Sequence, residues 1–377
     1  MITLVFSIQP MIIMTDVYRL YRTIHNGLKN AWKFDPSKHQ SNCLNILTGF
    51  ICGIIRTEQV KLSDVVGGIP NKGKEESEVM RLRRWLKNEN VDVELFYLPF
   101  IEQLIYCLAQ QTLVLVIDGS TTARGCVTLM VSMIYKGRAL PLLWITRKGK
   151  KGHFPENMHV ELINSVKAMI PELTEVVCLG DGEFDGTDWL KTIVGFGWRY
   201  VCRTAKTGVL YEEGDKFVFQ DICPQRGGMT EIADVEFTEQ RGIKLRAVAY
   251  WGRKYQEPIY LVTNVSTGGE AFMWYKKRFR IETLFSDLKG RGFNLHKSGL
   301  RKPERVARLI IAVALAYIWM VYLGDLALQK GWNKIVHRTD RCDLSLFKLG
   351  MRLLKRFLRE GLALPKFCLV LSGKALI

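Results

Sequence analysis

The sequence has no thiolate framework for a metal. Its nine cysteines contain no C-x-x-C pair, their number is odd, and several sit in apolar runs such as Val177-Cys178-Leu179. That excludes a zinc ribbon or a disulfide-stapled domain and points to reduced, buried thiols of a cytosolic protein. Histidines are few. The nearest pair, His153 and His159, has no cysteine beside it and reads as solvent-facing or as support behind a site. Low-complexity tracts and internal repeats are missing. So is an apolar run of the roughly 20 residues that span a bilayer. Leu309 to Leu323 is uninterrupted but only 15 residues long, follows Arg301, Lys302, Arg305 and Arg308, and ends at Gly324-Asp325. It reads as a buried core helix. The N-terminal Met1 to Phe6 has no basic flank, and Pro10 interrupts it before Met11 to Met14, so it fails as a signal peptide. No membrane partner is expected.

Acidic residues are scarce at one end. From Met273 to Ile377 there are 22 Lys+Arg against 7 Asp+Glu, a net of +15, whereas the whole chain carries +17. A polyanion partner is the simplest reason to concentrate charge in this way, because each neutralised phosphate releases counterions. The 377 residues are 48% apolar and 24% charged, enough for a substantial core and two or three domains. A disordered or collagen-like chain is excluded.

Residues from about Val17 to Gln110 read as helical, with Leu44, Leu47, Phe50, Ile51 and Ile54 at three- and four-residue steps on one face. A turn from Gly67 to Gly73 precedes Glu75 to Asn88, which contains Arg81, Arg83, Arg84 and Lys87. This admits a helix-turn-helix-like DNA reader or a solvated helix, since Glu75, Glu76 and Glu78 share it. The middle is different. Leu113 to Ile117 is a β-prone run ending in Asp118-Gly119-Ser120, and Cys126 to Tyr135 forms a hairpin with Leu140 to Thr146. A helix at about Glu156 to Met169, a strand from Val176 to Leu179 ending in Gly180-Asp181, a helix at about Thr187 to Phe196 and Tyr200-Val201-Cys202 follow. Residues 205–264 hold short strand-like runs with Gly turns. A single helix is then expected from near Glu270 to Lys289, before Gly290-Arg291-Gly292, with basic helices beyond.

Two acids stand out because each follows a hydrophobic strand and precedes Gly. A turn or cap explains either alone. Together, Asp118 and Asp181 can converge on one cation at a sheet edge, and carboxylate oxygens suit Mg²⁺ or Mn²⁺. Asp181, Glu183 and Asp185 alternate, and the strand-end position selects Asp181. A third acid lies in Tyr275-Lys-Lys-Arg278-Phe-Arg-Ile-Glu282-(six residues)-Lys289. At about 100° per residue these four side chains share a stripe about 60° wide, with Ile281, Leu284 and Leu288 behind it. A Tyr, an Arg, a Glu and a Lys on one stripe make a phosphate-handling face. A plain solvated face would more often show Glu and Lys at four-residue spacing for salt bridges.

Tyr-(2)-Arg-(3)-Glu-(6)-Lys resembles, without a gap, the Y-R-E-K signature of the insertion-sequence-four family of DDE transposases. Asp118 corresponds to the acid closing the family's first core strand. Asp181-Gly182-Glu183-Phe184 corresponds to the acid closing its fourth strand with a Phe shortly after. The resemblance covers roughly Leu113 to Leu323. It implies an α/β fold, a ribonuclease H-like catalytic core interrupted by a β-rich insertion and flanked by helical regions. The implied division is 1–110 helical and DNA-end-binding, 111–204 first part of the core, 205–264 insertion, 265–300 core helix carrying the catalytic Glu, and 301–377 basic and helical.

What the resemblance implies chemically is metal-dependent cleavage at transposon ends and strand transfer into target DNA, commonly through a hairpin. Two Mg²⁺ ions, or Mn²⁺ in their place, are expected on Asp118, Asp181 and Glu282, with Asp118 bridging. Tyr275, Arg278, Lys289 and Arg291 are the expected DNA contacts. Trp251, Tyr260 and Trp274 are candidates to catch a flipped base, and Lys148, Lys150 and Lys151 form a basic loop group. The expected partners are double-stranded DNA, as terminal inverted repeats and target, and a second copy of the chain when ends are paired. The expected setting is the nucleoid of a bacterial or archaeal cytoplasm. Two rivals are a structure-specific nuclease on the same core and a silent transposase-derived DNA binder, which has no need of three acids.

Overall fold

The structure, a computed structural model, describes residues 15–32, 35–70, 73–150 and 153–368; the N-terminal apolar stretch and Lys151 lie outside them. Among the described residues six helices come first: α1 (Asp16–Ala31), α2 (Lys38–Thr57), α3 (Leu62–Val66), α4 (Glu75–Lys87), α5 (Val93–Phe96) and α6 (Leu98–Leu108). The expected apolar face of α2 is fully buried. On α4, Leu82, Trp85 and Leu86 are buried while Arg83, Arg84 and Lys87 face solvent. The Trp85 indole donates to the Cys43 carbonyl at 3.0 Å, and Arg308 donates to the Leu86 carbonyl at 3.1 Å.

A mixed α/β core follows: β1 (Leu113–Ala123), β2 (Cys126–Tyr135), β3 (Arg138–Lys148), α7 (Glu156–Lys167), β4 (Val176–Gly180), α8 (Thr187–Gly195) and β5 (Arg199–Thr204). The β2–β3 turn has φ of 42° at Lys136 and 75° at Gly137, the two left-handed positions that match a tight hairpin to strand twist. β4 runs parallel to β1, and β5 parallel to β4. Then come β6 (Val209–Glu212), β7 (Asp215–Val218), β8 (Met229–Phe237), β9 (Ile243–Tyr250) and β10 (Ile259–Thr263). The ten strands among the described residues form one sheet in the order β3-β2-β1-β4-β5-β10-β9-β8-β6-β7. The β-rich segment is therefore an extension of the core sheet. β10, at its end, pairs antiparallel with β5 through Val262↔Cys202, which satisfies the open edge of β5.

The remaining helices are α9 (Gly268–Tyr275), α10 (Arg280–Leu288), α11 (Pro303–Gln329), α12 (Asn333–Val336) and α13 (Leu346–Arg359). The single helix expected over Glu270 to Lys289 is two. Between them Arg278 N–H bonds to the Tyr275 carbonyl at 2.9 Å and Arg280 N–H to the Lys277 carbonyl at 3.1 Å. These three-residue closures overwind the chain, so the 100° count does not run through. Four cations at Lys276, Lys277, Arg278 and Arg280 repel one another there, and Lys276 and Arg280 are four apart.

α11 has the length and composition of a bilayer span, yet every residue from Leu309 to Val321 is fully buried. It is the core helix expected. α13 packs on it backbone to backbone: a Cβ at Gly324 would lie 1.9 Å from the Leu346 carbonyl oxygen, and one at Gly350 would lie 1.9 Å from that of Met320. The basic C-terminal quarter is thus an integral layer, with Arg352, Lys355 and Arg359 on its outer side. Most buried apolar side chains from Leu20 to Phe367 form one large core, and Ala327, Leu349, Leu353 and Phe357 form a small second cluster between α11 and α13. The hairpin is tied to the helices by Tyr135 and Lys136 on Asp325 (2.7 and 2.6 Å) and by Arg138 on Asp287 (2.8 Å). All nine cysteines are free thiols, five of them buried.

Candidate active site

The parallel register of β1 and β4 sets the site. Val116 pairs with Leu179, the last rung of that ladder. Two residues further along each chain stand Asp118 and Asp181. β4 ends at Gly180, so Asp181 opens the following loop as expected. β1 does not end at Asp118, as the sequence suggested. It continues to Ala123 because β2 pairs with it from Leu115 to that end, with Asp118 opposite Met130. Asp118 therefore sits in a strand, at the point where the neighbouring strand stops and opens a notch in the sheet.

Glu282 enters from the first turn of α10, and Arg278 from the overwound segment before it. The Arg278 guanidinium donates to Glu282 at 2.5 Å and stands 3.9 Å from Asp118 and 4.0 Å from Asp181. Three acids from three elements thus share one cation. Burial, and then the charge of Asp181, push the Asp118 carboxyl up to about 7, against the pull of Arg278 and the Gly119 amide, which donates at 2.7 Å. Tyr275 is buried with its ring 5.9 Å from the Arg278 guanidinium, and burial raises its phenol.

Lys289 closes α10 with a non-helical backbone and donates to Ser120 Oγ at 2.5 Å. Burial holds its ammonium below the usual lysine range, while Asp118 works the other way. So Tyr275, Arg278, Glu282 and Lys289 do come together, through a break in the helix and not along a continuous stripe. Arg291 is exposed beyond Lys289. Trp251 lines a cleft of about 800 Å³ whose wall includes Asp181 and Arg278, together with Arg203, Lys206, Glu257 and Tyr260 among others. Tyr260 is nearly buried, whereas Trp251 keeps a partly open face with its indole N–H on the Tyr255 carbonyl at 3.2 Å. Trp274 lies elsewhere, bonded to Glu270 at 3.1 Å and covered by Lys277.

The two other acids after β4 are engaged away from Arg278. Asp185 accepts from Thr204 Oγ1 at 2.6 Å. Glu183 accepts from the Phe154 amide at 2.5 Å and lies 2.9 Å from His153 Nδ1 and 3.4 Å from His159. Burial opposes its ionisation, but these imidazoles and the amide outweigh it and hold the carboxyl below its usual range. His159 is buried, not solvent-facing, and packs on Phe184 with ring centroids 4.5 Å apart.

Among the described residues no three His, Cys, Asp or Glu side chains stand close enough to hold a metal as they are, because Arg278 is drawn in among the acids. The donor set itself fits a hard divalent cation. It is all carboxylate, and it already gathers around a positive group. The sequence reading assigns no role to Ser120, Arg203 and Lys206, which the structure places at the site. Ser120 was findable, since it lies two residues after Asp118 on the same strand face.

Residues 111–319 match the protein family described as "Transposase DDE domain". Among solved structures, the chain resembles a piggyBac transposase synaptic complex with hairpin DNA, determined by cryo-EM. The two share 11% identity at a TM-score of 0.44, over 92% of this chain and 80% of that one, which is too loose to assign any residue. No curated protein is similar enough to match.

Proposed function

The chain belongs to the Transposase DDE domain family, and from that premise we propose that it is a cut-and-paste DNA transposase with a ribonuclease H-like core. The observation that carries this reading is the convergence of Asp118, Asp181 and Glu282 on one guanidinium. The order β3-β2-β1-β4-β5, with β4 and β5 parallel to β1, supports the core assignment. The Tyr275, Arg278, Glu282 and Lys289 spacing supports the insertion-sequence-four assignment.

On this reading Asp118, Asp181 and Glu282 hold two Mg²⁺ ions, or Mn²⁺ in their place. Such ions, when bound, neutralise the reacting phosphate and assist both the attacking and the leaving oxygen. Arg278 then serves the DNA: a guanidinium within 4.0 Å of all three acids can grip a terminal phosphate beside them. Lys289, held at Ser120, places a second cation next to Asp118. Tyr275 backs Arg278 as a buried wall. The cleft behind Asp181 is large enough for a nucleotide, so Trp251 can stack an extruded base while Arg203 and Lys206 meet its phosphates. Arg291 and the other outward cations extend the contact along the duplex. The partners are terminal inverted repeats, target DNA and a second copy of the chain, on the nucleoid of a bacterial or archaeal cytoplasm.

The test is an end-labelled terminal-repeat duplex with Mg²⁺ and then Mn²⁺, resolved on denaturing gels. Nicked, hairpin and joined products are expected from the unmutated protein. Hydrolysed ends alone, with paired ends and target supplied, would replace the transposase by a nuclease.

A further inference from the structure

The loop after β4 carries its acids in alternation, and the middle one does something the other two do not. Glu183 presents its backbone N–H to Asp181 Oδ1 at 3.1 Å, while its side chain points away to the start of α7. There it is fastened twice, by the Phe154 amide at 2.5 Å and by His153 Nδ1 at 2.9 Å, while the buried His159 Nε2 stands 3.4 Å away without a hydrogen bond. His159 is 1% exposed and rests on Phe184, the residue after Glu183. Gly180 fits the same clamp from the other side, because a Cβ there would lie 2.5 Å from the Phe184 Cβ. One residue thus holds the Asp181 carboxylate by its main chain and is itself immobilised by its side chain.

We propose that Glu183 is a positioning residue for Asp181, setting the carboxylate's direction into the notch between β1 and α10. The proposal rests on the reading of Asp181 as a metal ligand. An aspartate at the head of a loop can rotate about its backbone, and a ligand that must meet a metal within tenths of an ångström gains from partners that remove that freedom. Glu183 touches no reacting atom. It acts through the amide it offers Asp181, and through the fixed path that its side chain imposes on residues 181–185. The clamp also joins Asp181 to the connection after β3, since His153 and Phe154 lie on it.

The experiment uses the full chain, with Mn²⁺ alone titrated calorimetrically and end-duplex cleavage measured separately as kcat and KM. Glu183→Ala is expected to lower Mn²⁺ affinity and kcat by about 10- to 100-fold, the usual loss when a partner behind a metal ligand is removed. KM and duplex Kd should stay unchanged. Glu183→Gln keeps an acceptor for the Phe154 amide and should recover much of both. His153→Ala removes one fastening at a side chain that is 79% exposed, so it should fold normally and show a smaller loss in the same two readouts. Unchanged Mn²⁺ affinity and kcat in folded Glu183→Ala or, if that variant does not fold, in His153→Ala would overturn the proposal. So would a fall in duplex affinity and thermal midpoint alongside Mn²⁺ affinity that Glu183→Gln does not reverse. Absence of metal-dependent cleavage by the unmutated protein would instead overturn the transposase reading, and the Mn²⁺ titration would still judge the clamp.

Discussion

Replacing Asp118 by Asn should make the metal-free protein more stable at pH 8 while abolishing cleavage. Burial and the charge of Asp181 raise the Asp118 carboxyl from 3.8 to about 7 in the folded state. A shift of about three units at roughly 1.4 kcal/mol per unit amounts to about 4 kcal/mol. The sign follows from which state holds the proton. Between about pH 4 and pH 7 the folded protein keeps it and the unfolded chain has lost it, so raising pH through that window favours unfolding. The penalty is complete above pH 7 and nearly absent at pH 4. Asn has no proton to lose there, and its carbonyl can still accept the Gly119 amide bond of 2.7 Å. With an unfolding entropy of about 2.1 cal/mol/K per residue over this chain, about 4 kcal/mol corresponds to a rise of roughly 5 °C in midpoint. Calorimetric melts of both proteins in EDTA at pH 4 and pH 8 measure it. The difference should open between the two pH values and narrow again with Mg²⁺, which binds the wild type better. A midpoint difference that is the same at both, or an Asn variant less stable at pH 8, would refute the reasoning.

Four further outcomes are expected. Asp181→Ala and Glu282→Ala should lose Mg²⁺-dependent nicking yet bind the end duplex, whereas Asp185→Ala, whose carboxylate serves Thr204, should still nick; the reverse on gels would move the middle acid to Asp185. Trp251→Ala should nick normally but give little hairpin or joined product if its open face holds the extruded base; normal joining would empty the cleft of that role. Changing Arg291, Lys297, Arg301 and Lys302 together to Gln should flatten the plot of log affinity against log salt by up to about 3 to 4, as four lost phosphate contacts require; filter binding across a salt series reads this. Gly350→Ala should cost about 1–3 kcal/mol or more by overpacking the α11–α13 contact, seen as a lower thermal midpoint by circular dichroism.

Much of this was legible along the chain because the signals are local. The hairpin of β2 and β3, the helices α7 and α8, the buried apolar faces of α2 and α11, and the run of strand, strand, strand, helix, strand, helix, strand all follow from periodicity and turn residues. The pairing of Tyr275, Arg278, Glu282 and Lys289 with two strand-associated acids was legible as spacing. The path of the backbone around them was not. Helical counting assumed 100° per residue across a segment where clustered like charges and three-residue hydrogen bonds tighten the chain.

The sequence by itself determined which side chains are present and what each element wants to bury, since hydrophobic period and turn chemistry act over a few residues. Tertiary structure alone decided what lies beside what. β1 outruns β4 because β2 pairs with it to the end, and that notch leaves Asp118 beside Asp181. β10 closes on β5, so the inserted strands extend the sheet and bring Trp251 to the wall behind Asp181. Glu183 is parted from Arg278 by its bonds to residues 30 and 29 positions earlier. Each of these depends on strand register and long-range hydrogen bonding, which no short window of sequence encodes.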